Sequence, residues 1–275
     1  MIHKVLKGLA PVAALAASAM LAGCNVDMQI GDGKGVPLAE LDTSGDPPRE
    51  LILAGPDTII VARGAVFDIA VSGDDRAVEA LRFHIEDDAL QVSRKKDSGR
   101  DIGTATVRVT MPSLTAMVMA GSGKIEVDEM DERAEVTIAG SGSAKVAKMN
   151  VASIDLTIAG SGDFEAAGAS ERLDLTIAGS GSAKMADLRV GRADVTIAGS
   201  GDADFSSDGT VEASIVGSGD VHVRGSATCT VSAMGSGKLR CSAGSAGRSD
   251  ATASRADDAP APPAAPEAPE APEAP

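Results

Sequence analysis

The hexapeptide Thr-Ile-Ala-Gly-Ser-Gly occupies residues 137–142, 157–162, 176–181 and 196–201. Degraded copies lie at 118–123 before it and at 214–219 and 232–237 after it. The first glycines of the seven Gly-Ser-Gly triplets are Gly121, Gly140, Gly160, Gly179, Gly199, Gly217 and Gly235, so consecutive copies are 18–20 residues apart. A fixed period of this length marks a repeat architecture, in which each unit covers the next.

Positions can be counted from that first glycine. At minus six, minus four and minus two the residues are apolar: Ile154, Leu156 and Ile158 in one copy, Leu173, Leu175 and Ile177 in the next. Between them stand polar residues, Asp155 and Thr157, then Asp174 and Thr176. This is the period-two pattern of a strand with one buried face. The alternation resumes beyond the triplet, with Ile125, Ala144, Phe164, Ala183, Ala203, Val221 and Leu239 at plus four. A strand cannot bury a face alone, and the next similar strand comes one period later. Stacking coil on coil supplies both the ladder partners and the core, so the chain is expected to be all-β: a single-chain parallel β-helix of about 18–20 residues per coil. The glycines suit corners that need positive φ and close approach of backbone to backbone. The middle serines, from Ser122 to Ser236, would then form a hydroxyl ladder along that edge.

Two outward positions test the register. Plus five runs Glu126, Lys145, Glu165, Lys184, Asp204, His222, Arg240, and its first five members alternate in sign, as in-register stacking requires. Minus five runs Glu135, Asp155, Asp174, Asp194, Glu212, five acids in succession. A column of one sign costs stability unless a cation or partner offsets it. It is therefore the candidate site for a divalent cation or a basic ligand, with screened surface carboxylates as the plainer alternative. One carboxylate per coil is sparse coordination, and the Gly-Ser-Gly-Asp pattern of Asp163, Asp202 and Asp220 fails in alternate coils.

The ends of the chain read differently. Residues 1–23 carry Lys4 and Lys7, then an apolar run too short to span a membrane, and form a secretory signal. Leu21-Ala22-Gly23-Cys24 resembles a bacterial lipobox, which would make Cys24 the acylated first residue of the mature chain; an ordinary signal peptide with an incidental cysteine is the alternative. Asn25 in place of Asp favours the outer membrane, by resemblance to enterobacterial sorting. Residues 24–50 read as a flexible tether, and 242–275, ending in Ala-Pro-Glu repeats, as a solvated tail in extended polyproline II. Between them, 51–241 is the expected β-helix domain, with irregular coils over 51–116 and regular ones over 117–241.

In the irregular part, strands are expected at 58–61, 66–71, 81–85, 90–92 and 106–110. Val107 to Leu114 (Val-Arg-Val-Thr-Met-Pro-Ser-Leu), followed by Ala120-Gly121-Ser122-Gly123, resembles the signature of the head GIN domain family over roughly residues 55–241. Its members are described as candidate autotransporter adhesins and are mostly bacterial envelope lipoproteins. The resemblance implies a parallel β-helix and no established biochemical activity.

The formal charge is −15, and removal of residues 1–23 leaves 23 basic against 40 acidic residues, a charge of −17. That excess argues against nucleic acid or anionic lipid as partner, since phosphate contacts need Lys and Arg. Catalysis has little support. His3 leaves with the signal, His84 sits in a predicted strand, and His222 belongs to the charge ladder. No Ser–His–Asp spacing, Cys–His pair or metal-ligand cluster emerges, no cofactor is implied, and the chain has no Trp or Tyr to form a sugar platform. Cys229 and Cys241, at minus six and plus six of the last triplet, both face inward by register. They would form a disulfide pinning the final coil, or else remain two buried thiols. The expectation is a non-catalytic envelope lipoprotein, held to the membrane by its lipid, that serves as a scaffold or adhesion module. The alternatives are a cation- or ligand-binding protein using the acidic column and a carbohydrate-active enzyme.

Overall fold

A computed structural model describes residues 35–242 except residue 100. Within them the strands are β1 (Glu50–Ala54), β2 (Thr58–Arg63), β3 (Asp68–Gly73), β4 (Leu81–Glu86), β5 (Ala89–Arg94), β6 (Ala105–Met111), β7 (Ala116–Gly121) and β8 (Lys124–Met130). They continue with β9 (Arg133–Gly140), β10 (Ser143–Gly160), β11 (Asp163–Gly179), β12 (Ser182–Gly199) and β13 (Asp202–Gly217). The last are β14 (Asp220–Arg224), β15 (Thr228–Gly235) and β16 (Lys238–Ser242). One α-helix, α1 (Asp75–Ala80), precedes β4.

The repeats stack as a parallel β-helix. One lateral face takes its strands in the order β15, β13, β12, β11, β10, β9, β7, β1, β5, β4. The pairing is in register, position on position: Leu156 lies opposite Val136 on one side and Leu175 on the other, and Asp155 opposite Glu135 and Asp174. The inward residues of successive coils form one continuous core from Leu51 to Val223, in which Phe164 and Phe205 are fully buried. With so few aromatic residues, the interior is filled by columns of Ile, Leu, Val and Ala whose branched side chains suit a pleated surface.

The corners depend on glycine. Gly140, Gly160 and Gly179 have φ between +120° and +125°, a region closed to other residues. A Cβ on Gly179 would also run into the carbonyl oxygen of Gly160 on the coil beside it. The middle serine holds the corner through its backbone and not through a hydroxyl ladder: Ser161 N–H donates to Gly140 O at 2.9 Å and Ser180 N–H to Gly160 O at 2.8 Å. An eighth corner stands at Gly55-Pro56-Asp57, a turn in the sequence that its period does not tie to the corner column. Gly55 N–H donates to Ala120 O at 3.0 Å, and Gly55 stacks on Gly121. Asp57 takes the place of the second glycine, where it is buried and forms a two-point ion pair with Arg94, at 2.8 Å and 2.6 Å.

The expected strands of the irregular region are present, with changed limits. The strand expected at 66–71 begins at Asp68, leaving Val66 exposed, and β1 is additional. This part is not simply a set of ragged coils: β3 pairs antiparallel with β6, and β4 antiparallel with β5. Helix α1 buries Ala77 and Ala80 against this end of the core. The tether expected over 24–50 is also corrected for its second half. Val36 pairs with Phe83 through bonds of 2.9 Å and 2.8 Å, and Leu38 and Leu41 pack on the core. Residues 24–34 lie outside the described residues. The N-terminal end of the stack is thus covered, whereas at the other end, among the described residues, β15 pairs only with β13 and β16 only with β14.

Replacement of Gly179 by Ala is expected to cost at least about 1–3 kcal/mol from backbone strain alone, with more from the clash. Urea unfolding of the variant checks this; Ser180→Ala at the same corner, exposed and bonded through its main chain, should leave the midpoint unchanged.

Candidate functional site

The five acids of the minus-five column lie directly opposite one another on β9 to β13: Glu135, Asp155, Asp174, Asp194 and Glu212. They project outward because their neighbours on each strand, such as Leu173 and Leu175, fill the interior. The column has a member that the sequence reading missed. Glu50 on β1 pairs with Ala116, which itself pairs with Glu135, so Glu50 continues the column past one uncharged position. No local signal could have placed it, since a long insertion separates β1 from β7.

Partial burial raises the carboxyl pKa of Glu135, and the charge of Asp155 raises it further, with Arg133 opposing. Asp174 is raised by desolvation and then by Asp155 and Asp194, against Arg172 and Arg192. Glu50 is raised by burial, by Glu135 and by Asp88. Like-charge crowding is therefore real along this face, and it is answered from within the chain. Two positions before the acids runs a second column, Arg133, Ser153, Arg172, Arg192 and Thr210, also in register. Arg192 bridges Asp194 at 3.5 Å and Glu212 at 3.0 Å. The arginines were legible at minus seven, but only register shows that Arg192 reaches Glu212 on the neighbouring strand, whereas Arg133 donates to Ser153 Oγ at 3.1 Å.

This arrangement is poor for a cation. Among the described residues no three His, Cys, Asp or Glu side chains converge as metal ligands. Each coil offers one carboxylate, and guanidinium groups stand where further oxygens would be needed. What the face does offer is a flat, repeating polar surface, on which Thr137, Thr157, Thr176 and Thr196 stack beside the acids.

The plus-five ladder is in register along its whole length, from Glu126 to Arg240. Its ion pairs follow local reach: Lys145 meets Glu165 at 3.2 Å, but Lys184 turns to Asp163 at 3.0 Å and Arg224 takes Asp204 at 2.8 Å. These groups are largely solvated, so each pair is worth about 0–1 kcal/mol and the ladder specifies register more than stability. His84 pairs with Glu86 at 3.2 Å and His222 stays in the ladder. Cys229 and Cys241 are joined by a disulfide between β15 and β16, with 6.6 Å between their Cα atoms. Cys24, the expected signal over residues 1–23 and residues 243–275 of the expected tail lie outside the described residues, while Ser242, the tail's expected first residue, ends β16. Among the described residues no helix is long and apolar enough to cross a membrane.

Residues 47–227 match the family described as "Putative auto-transporter adhesin, head GIN domain". The chain belongs to this family. Among solved structures it is similar to a protein described as a putative adhesin from Bacteroides fragilis, at 18% identity and a TM-score of 0.65, covering 71% of this chain and 93% of that one. A protein described as putative lipid binding, from Parabacteroides distasonis, gives 22% identity and a TM-score of 0.56 over 72% and 93% of the two chains. An adhesin-described protein from Parabacteroides merdae gives 17% and 0.53 over 72% and 92%. At these identities the likeness is one of fold. No curated protein matches the sequence. The head GIN resemblance and the parallel β-helix read from the sequence are both met, and membership places the chain among adhesin-like proteins of the cell surface or envelope.

The crowded column yields a pH-dependent test. Glu135 and Asp174 hold their protons more readily folded than unfolded, so the stability they contribute is complete below the ordinary values of 4.5 and 3.8. It is lost as pH rises through the raised folded-state values. Asp155 lies between the two, so Asp155→Asn is expected to raise stability near neutral pH by about 0.2–1 kcal/mol. The gain should vanish in acid below the carboxylate range, as read by thermal unfolding at several pH values.

Proposed function

We propose that this chain is a bacterial envelope lipoprotein, anchored through an acylated Cys24, whose β-helix is a non-catalytic adhesion module. The observation that carries the reading is the lateral face over β9 to β13, where an acid stands in register in every coil, beside a threonine or serine and, in three of the five coils, an arginine. A surface of this kind offers the same shallow set of groups again and again. It suits a repetitive or extended partner held by many weak contacts, whose affinities combine when the contacts are linked. It is unsuited to chemistry, which needs a few groups converging in a concave, water-excluding site. Family membership supports the adhesive reading, and the lipobox-like Leu21-Ala22-Gly23-Cys24 supports the anchor. The outer membrane is the expected location, with Asn25 following the cysteine.

Three strains test this reading: one lacking the gene, one carrying Cys24→Ser, and one carrying Asp155→Asn, Asp174→Asn and Asp194→Asn together. The deletion should reduce attachment and biofilm. Cys24→Ser should release the protein from the membrane fraction, and the triple variant should stay anchored and folded yet attach less. Unchanged attachment in the deletion strain would remove the adhesive role, and membrane retention of Cys24→Ser would remove the lipid anchor.

A further inference from the structure

The two ends of the β-helix are finished differently. At the N-terminal end, α1, the antiparallel β4–β5 pair and Val36 cover the core. At the C-terminal end nothing among the described residues covers β15 and β16, and both present an unpaired edge. Val231 occupies an inward position whose equivalents Val136, Leu156, Leu175 and Val195 are at most 2% exposed, yet it is 40% exposed itself. The outer surface changes here as well. The minus-one column, alanine in the middle coils, becomes Val216 and Met234, paired with each other and 53% and 73% exposed.

The charges also stop. Residues 225–237 contain no charged side chain in a protein that is 24% charged. At minus five, where the five preceding regular coils carry an acid, β15 has Thr230. Natural edge strands are normally guarded by charges, prolines or bulges, and β15 has none of these. The other edge strand of this end, β16, carries Lys238 and Arg240, so the uncharged strip on which two copies of so acidic a chain can meet is β15.

We infer that the partner of this end is a second copy of the chain, joined tip to tip. A two-fold axis would set β15 antiparallel to β15 of the partner copy. Thr228, Thr230 and Ser232 would then meet without like-charge contact, and the two open cores would close on each other. Such an interface is isologous and self-limiting, so it gives a dimer and not a fibre. The lateral face carries ten strands from β4 to β15; at about 4.8 Å per strand it is roughly 45 Å long. Tip-to-tip pairing therefore places the two N-terminal ends roughly 90 Å apart, facing opposite ways. Resting on the anchored-adhesin reading above, this geometry joins two membranes through copies of one protein, so the adhesion is homophilic.

The test uses the full mature chain in solution, without its lipid, beside Thr230→Asp and Met234→Lys. Light scattering on a sizing column should give twice the monomer mass for the wild type across the micromolar range. Both variants should be monomers with unchanged circular dichroism. Small-angle scattering should show the longest dimension about doubled, and amide exchange in β15 should slow as concentration rises. A monomeric wild type would overturn the proposal, whether β15 exchanges freely or is protected at every dilution. A dimer indifferent to both substitutions, or one with side-by-side dimensions, would overturn it too. None of these readouts depends on Cys24 or on attachment. A dimer that forms in solution while the deletion strain attaches normally would refute the adhesive role and leave the interface standing.

Discussion

Backbone must lie directly on backbone at the Gly-Ser-Gly corners, and this constraint organises the molecule. A parallel stack has one strand spacing between coils, and at the turn there is room there for a carbonyl and an N–H but not for a Cβ. Glycine therefore recurs at this corner in coil after coil, with φ near +125°. Once Gly140, Gly160 and Gly179 are superposed, the strands that flank the corner are in register with their counterparts, and the differences in coil length are taken up by register shifts farther round, as between Val146 and Met149 and between Glu165 and Gly168. Apolar positions fall on apolar ones to make the core, and polar positions fall on polar ones to make surface columns. The exception at Gly55-Pro56-Asp57 supports this view. There the second glycine is replaced by Asp57, and the replacement is accommodated by a buried partner, Arg94, which belongs to the covering structure at that end.

Register also carries the electrostatics. Because the flanking strands cannot slip, like charges at one position cannot avoid each other; the carboxyls of Glu135 and Asp174 are held above their ordinary range first by partial burial and then by these neighbouring charges. The chain relieves the strain by a second column, of which Arg192 is the clearest member, spanning two acids on adjacent strands. A face built this way is flat, repetitive and half-compensated. Those are properties of a contact surface, and they agree with membership of an adhesin-like family more readily than with a cation store.

How much was legible in the sequence follows from the same constraint. Where the 18–20-residue period runs from Gly121 to Gly235, the strands flanking each triplet could be read with their facing and register, because each residue's environment is set by its counterpart one period away; the remaining residues of each coil, where the register shifts fall, could not. Where an insertion interrupts the period the strands could still be read, but their partners could not. Gly55 belongs to the same corner column as Gly121, but 66 residues separate them. Glu50, α1 and the antiparallel pairs were hidden for that reason, and the packing of Val36, Leu38 and Leu41 was hidden because a short apolar scatter has no periodicity. The arginine column was visible as letters. Its role was not, since it depends on reach between adjacent strands.

The central claim is that successive repeats are neighbours in strict register, one strand spacing apart. Cysteine pairs on the outward-facing threonine column measure this directly. Under mild oxidation, Thr157→Cys with Thr176→Cys, which are direct partners, should form a disulfide at high yield. Thr157→Cys with Thr196→Cys, two strands apart, lies beyond bridging distance and should remain reduced. Equal cross-linking of both pairs, or none of the adjacent pair in a folded protein, would contradict the stacked register on which the whole account rests.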